Sequence, residues 1–134
     1  TAIDAKFSMP FTVATALRHR AVGLDAYLPA AMHDGEVLQL ADRIDHVVEK
    51  SWTTEQATRG TLNLHTTDGR LLSHSVLAPL GHPDNPMSAA AMADKFAQCA
   101  AYAREPLAPT RAAAIAAGIG RLETMPDIAT LLTP

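Results

Sequence analysis

Apolar residues recur at helical spacing from the start of the chain. Phe7, Phe11, Ala14 and Leu17 stand at i, i+4, i+7 and i+10, which places them on one face of a helix. Ser8 is positioned to cap that helix, and Pro10 is tolerated only in its first turn. Between His19 and Gly35 the apolar positions scatter among Gly23, Pro29 and Gly35, so the pattern predicts a connection holding a short helical turn. Asp34 caps a second predicted helix whose Val37, Leu40, Ala41 and Ile44 take i, i+3, i+4 and i+7. From Asp45 the chain turns β-rich, with Val47 and Val48, and from Ser51 to Gly60 it is polar and reads as a loop. Trp52 within that loop reads as a ring packed over the edge of the core.

The clearest local signal is "TLNLHTTDGRLLSHSVL". Asp68-Gly69 favours a two-residue type I′ turn, because glycine accepts positive φ and aspartate tolerates it. Such a turn pairs Thr67 with Arg70, His65 with Leu72 and Asn63 with His74, all on one face. Beyond Pro79, "GHPDNPMS" crowds prolines and turn formers into a stiff junction. Ser88 then opens an alanine-rich helix with Met92, Phe96, Cys99 and Ala100 as its inward stripe. Pro106 and Pro109 end that helix, and Thr110 caps a last one carrying Ile115, Ile119 and Leu122. In the tail, Asp127 is a further cap, with Ile128, Leu131 and Leu132 as apolar anchors. The expected fold is α+β, a small antiparallel sheet with a hairpin over 61–77 packed against several helices, in one domain spanning 1–134.

Composition narrows the classes of function. With 134 residues and 48% hydrophobic content, the chain can build one ordinary core. A net charge of -3, with neither sign collected into a block, gives no footprint for a phosphate backbone, so nucleic acid is not expected as a partner. The single cysteine, Cys99, rules out an internal disulfide and a cysteine-based zinc site within one chain, which fits a reducing cytoplasmic setting. No apolar run approaches the roughly 20 residues that span a bilayer. The first residue is Thr1 rather than methionine, and Ala5-Lys6-Phe7 already approaches a helix, as expected of a piece of something longer.

Candidate chemistry is sparse. The six histidines include no His-x-x-x-His pair on a helix and no glutamate beside one, so no metal site is expected. His65 and His74, as diagonal neighbours on the hairpin face, are better read as hydrogen-bonded or solvent-facing than as ligands. Cys99, on an apolar stripe, reads as a buried, inert thiol. Gly118 and Gly120, with no strand before them, do not make a phosphate-binding loop. Two polar groups on ordered backbone remain: Lys6 with Ser8, and His82 with Asp84 and Asn85. Lys6 can meet a carboxylate through charge-assisted hydrogen bonds, with Ser8 supporting the same anion. The plainer alternative is a solvated lysine beside a simple cap.

The order "DAKFSMPFTVATAL", "DGR", "PLGHPDNPMS" and "ADKFAQCA" resembles the MmgE/PrpD family, which includes 2-methylcitrate dehydratase, cis-aconitate decarboxylase and iminodisuccinate epimerase. The likeness runs from Ala5 to about Leu132 and corresponds to the C-terminal lid part of a family member. It implies a cofactor-free lyase (a hydro-lyase of the 2-methylcitrate dehydratase kind) or isomerase. This would be built from a large helical domain and a smaller α+β lid, dimeric through the helical domain. A small di- or tricarboxylic acid would bind between them. The chemistry implied is proton abstraction next to a carboxylate, which needs a placed base and cations for the carboxylates. The family's principal catalytic histidines and lysines map onto no position here, so no catalytic residue is assigned, and the chain alone is not expected to turn over substrate. Lys6 and Ser8, then His82 and Asn85, are the expected substrate contacts. The rival expectation is a non-catalytic, stand-alone interaction or small-ligand module of the same fold.

Overall fold

The computed structural model describes residues 1–131. The fold is α+β, as expected, with α-helices and one two-stranded antiparallel sheet among those residues. The chain divides into two compact units, one formed by Thr1–Val48 with the chain from Lys95 onward, the other by Glu49–Asp94.

In the first unit the expected opening helix is two helices, α1 (Ala2–Phe7) and α2 (Met9–His19), parted at Ser8. Ser8 closes one and opens the other. Its N–H donates to the Ala5 carbonyl at 3.2 Å, and its Oγ accepts the Phe11 N–H at 3.2 Å, with Pro10 in the first turn. The break takes Phe7 off the expected face, leaving it 87% exposed, whereas Phe11 and Ala14 are buried. The connection that follows contains a 3₁₀ turn, Leu24–Tyr27, and α3 (Pro29–Met32). Asp34 caps α4 (Gly35–Ala41) as the sequence predicts, accepting N–H groups of Glu36 at 2.9 Å and Val37 at 3.3 Å. Phe11, Ala14 and Val37 form the core, with Ala5, Tyr27, Met32, Leu40, Ala41 and Ile44 packed around them. The side chains facing inward from α4 are therefore those its periodicity selects.

Arg18 and His19 at the end of α2 face Glu36 and Asp34 at the start of α4, with Arg18 2.5 Å from Glu36 and His19 3.4 Å from Asp34. Cations at a helix C-terminus and anions at a helix N-terminus also complement the two helix dipoles. In α6 (Pro109–Ile119) the helix starts at Pro109 rather than from a Thr110 cap, because proline suits a first-turn position. It buries Ala112 and Gly118 and leaves Ile119 half exposed. A Cβ at Gly118 would run into the Leu131 side chain. Asp127 caps as expected, accepting the Ala129 N–H at 2.9 Å, while Leu132 lies outside the described residues.

In the second unit, β1 (Gly60–His65) and β2 (Leu71–Val76) pair with His65 opposite Leu71, Leu64 opposite Leu72 and Leu62 opposite His74. The register is one residue from that of a two-residue turn. The connection is a three-residue loop, with the Gly69 N–H donating to Thr66 O at 3.0 Å and the Thr66 N–H donating to Arg70 O at 2.9 Å. Gly69 takes φ 83°, the left-handed position that closes a type I turn into a bulge. The Thr66 hydroxyl accepts the Arg70 N–H at 3.0 Å and bonds the Asp68 carboxylate, which also takes the Arg70 Nε–H at 2.8 Å. A one-residue shift exchanges faces, so His65 and His74 lie on opposite sides of the sheet and cannot share a ligand. One face carries Leu62, Leu64, Leu72, His74 and Val76. The other carries a polar ladder, Thr61 to Ser75 at 2.8 Å and Ser73 to Asn63 at 2.7 Å.

The valines at 47 and 48 form no strand and are exposed, since no neighbouring strand accepts their backbone. Trp52 is 37% exposed. Helix α5 (Ala89–Ala101) opens with the Ala91 N–H donating to Ser88 Oγ at 3.1 Å. Its stripe is only partly inward: Ala100 is buried, Phe96 half-buried, and Met92 and Cys99 are exposed. The thiol is therefore not sequestered as its spacing suggests.

Candidate functional site

Lys6 sits in the last turn of α1, the favourable end of a helix for a cation. Its Nζ lies over the Tyr27 ring, 5.8 Å from the centroid, within the reach of a cation–π contact. Tyr27 packs in turn against the Phe11 ring at 6.2 Å and 45°. Among the described residues Lys6 has no carboxylate partner. The nearby Asp4 is engaged with Thr1, whose hydroxyl donates to its carboxylate at 2.7 Å.

Ser8, two residues on, keeps its hydroxyl proton free for another acceptor while its oxygen caps α2. It lines a hollow of about 310 Å³ with Asp4, Phe11, Met32, His33 and Leu38. In the wall of that hollow His33 Nδ1 lies 2.6 Å from the Pro29 carbonyl, to which the ring donates. A second hollow of similar size is lined by Thr15, His19, Asp25, Asp34 and Val37, among others. The Asp34 carboxyl there is held below the usual carboxylate range, chiefly by the Val37 N–H, then by Glu36 and His19.

His82 and Asn85 belong to the second unit and brace each other. The Asn85 N–H donates to His82 O at 2.8 Å, and the Gly81 N–H, from a residue at φ 96°, donates to Asn85 O at 2.8 Å. Asn85 Nδ2 donates to Ala78 O at 3.0 Å, so one N–H of its amide helps to hold the loop. His82 Nδ1 accepts the Asp84 N–H at 3.1 Å, which in the neutral ring puts the proton on Nε2 and makes that nitrogen a donor. Lys6 and Ser8 thus stand two residues apart at the junction of α1 and α2 in the first unit, and His82 and Asn85 bond each other in the second.

Sequence reasoning passes over Tyr27 and His33. Both lie in the stretch without periodicity, and no motif marks a ring that meets Lys6 through tertiary packing. Among the described residues, no group of three His, Cys, Asp or Glu side chains stands close enough to hold a metal ion. No helix among them is long and apolar enough to cross a membrane.

Residues 1–117 match the model of the MmgE/PrpD C-terminal domain, and the chain belongs to the MmgE/PrpD family. Neither the curated proteins nor the solved structures give a significant match.

Proposed function

We propose that this domain is the lid of a cofactor-independent lyase or isomerase that acts on small di- or tricarboxylic acids such as 2-methylcitrate. A helical catalytic domain of the same polypeptide would supply the groups that move the proton. The observation that carries the reading is Lys6, a cation without a carboxylate partner among the described residues, in a chain of this family. A substrate carboxylate is a natural counter-ion for such an ammonium, because no carboxylate among the described residues pairs with it. Ser8, two residues along the chain, carries a hydroxyl that can donate to an anion.

Ile3 and Phe7 support the same reading. They stand at i and i+4 on the helix that carries Lys6 and are 68% and 87% exposed, an apolar face suited to cover by a second domain. Closing such a face over the substrate excludes water and strengthens the Lys6 contact. The braced loop would meet the helical domain without losing much conformational freedom on closure.

The test is turnover of the full-length protein on 2-methylcitrate, citrate, cis-aconitate and iminodisuccinate. Conversion of one of them by dehydration, decarboxylation or epimerisation is expected; no conversion of any, with the acids failing to bind, contradicts the proposal. In an active enzyme, Gly81→Val and Asn85→Ala are expected to lower turnover through poorer closure, and unchanged kinetics would remove the loop from that role.

A further inference from the structure

We propose that Tyr27 is a positioning residue for Lys6, holding the ammonium over its ring so that the side chain stays ordered and open to a ligand carboxylate. The inference rests on the reading of Lys6 as a carboxylate contact and assigns the residue that prepares it.

Three observations carry it. The ammonium lies 5.8 Å from the centroid of the Tyr27 ring. That ring is fixed, because it stacks at a tilt on Phe11, itself only 6% exposed, and belongs to the cluster around Phe11, Ala14 and Val37. No carboxylate among the described residues pairs with Lys6, and the Asp4 carboxylate accepts the Thr1 hydroxyl. An aromatic face attracts the ammonium through its quadrupole without neutralising it. A carboxylate in the same place would quench the charge and compete with the ligand. The ring therefore limits the freedom of a long side chain while leaving N–H donors for an oxygen anion.

The experiment uses the full-length protein, with citrate as probe, and reads two signals. The first is the NMR shift of the Lys6 ε-methylene, with Lys50 and Lys95 of the same 134 residues as internal references. The second is the dissociation constant for citrate by calorimetry. In wild type and in Tyr27→Phe, Lys6 should show a ring-current displacement and equal affinity. In Tyr27→Leu the displacement should vanish and citrate should bind about two- to fivefold more weakly. Pentafluorophenylalanine at position 27 keeps the shape of the ring and weakens its negative face, and should reproduce the affinity loss even if Tyr27→Leu does not fold.

An undisplaced Lys6 signal in wild type, or pentafluorophenylalanine binding citrate as phenylalanine does while Lys6→Met binds it more weakly, overturns the role of Tyr27 and leaves Lys6 in place. Citrate binding that is absent, or indifferent to Lys6→Met, overturns the reading of Lys6 itself.

Discussion

The two compact units are held by different forces. In the first, Phe11, Ala14 and Val37 are buried where α2 meets α4, and charged pairs join the ends of those helices. In the second, none of residues 49–94 is buried, and the hairpin and the loop at 81–85 are defined by hydrogen bonds and by two glycines at positive φ. Burial couples distant positions, so the first unit should unfold as a whole when its core is cut. Turn chemistry is local, and the second should loosen piece by piece. The candidate residues divide in the same way: Lys6 leans on a ring anchored in a core, whereas His82 is aimed by a loop bonded to itself.

The strongest way to break this contrast is Phe11→Ala, which should cost about 3–5 kcal/mol in urea unfolding followed by circular dichroism. A loss below about 1 kcal/mol would mean that the cluster is not the main support of the first unit. Gly69→Val comes next. At φ 83° a β-branched residue is strained, and a cost of about 1–2 kcal/mol is expected. Amide exchange should quicken in β1 and β2 while α2 and α4 keep their protection; uniform loss of protection would show the two regions to be coupled. Ser8→Ala should cost about 1 kcal/mol by removing the acceptor for the Phe11 N–H, with fraying confined to the start of α2.

The smallest effect concerns acid. The Asp34 carboxyl is held below its ordinary value, first by the Val37 N–H. A group lowered in the fold contributes stability above its unfolded value, near pH 4, and loses it as pH falls through the folded value. Asp34→Asn keeps a good cap but removes the titration. Urea midpoints should therefore fall less for the variant than for wild type between pH 5 and pH 2, and parallel curves would count against the ion-dipole role of Asp34.

How far the sequence was readable follows the same division. The caps at Ser8, Asp34, Ser88 and Asp127 were legible because the accepting side chain and the N–H that donates to it lie within three residues. The face of α4 was legible because period alone selects it. The hairpin was legible in place but not in register. Asp68-Gly69 argued for two loop residues, yet the alternation that puts Leu62, Leu64, Leu72 and Val76 on one face fits only the observed three-residue loop, in which Thr66 supplies the extra hydrogen bonds. Weighing that alternation above the dipeptide would have separated His65 from His74. The exposure of Phe7, Cys99 and Ile119 was not legible, since spacing says which residues share a face and not whether anything covers it. Lys6 and Ser8 stood out beside a motif, whereas Tyr27 reaches Lys6 only through the packing of a connection against α1 and α2.

The most direct test of the functional reading is the Michaelis constant of the full-length enzyme carrying Lys6→Met, measured on whichever small carboxylic acid the wild type converts. Lys6 as a substrate contact predicts a raised Michaelis constant for that acid, with the domain still folded. An unchanged constant would contradict it and take the lysine, and the ring beneath it, out of the site.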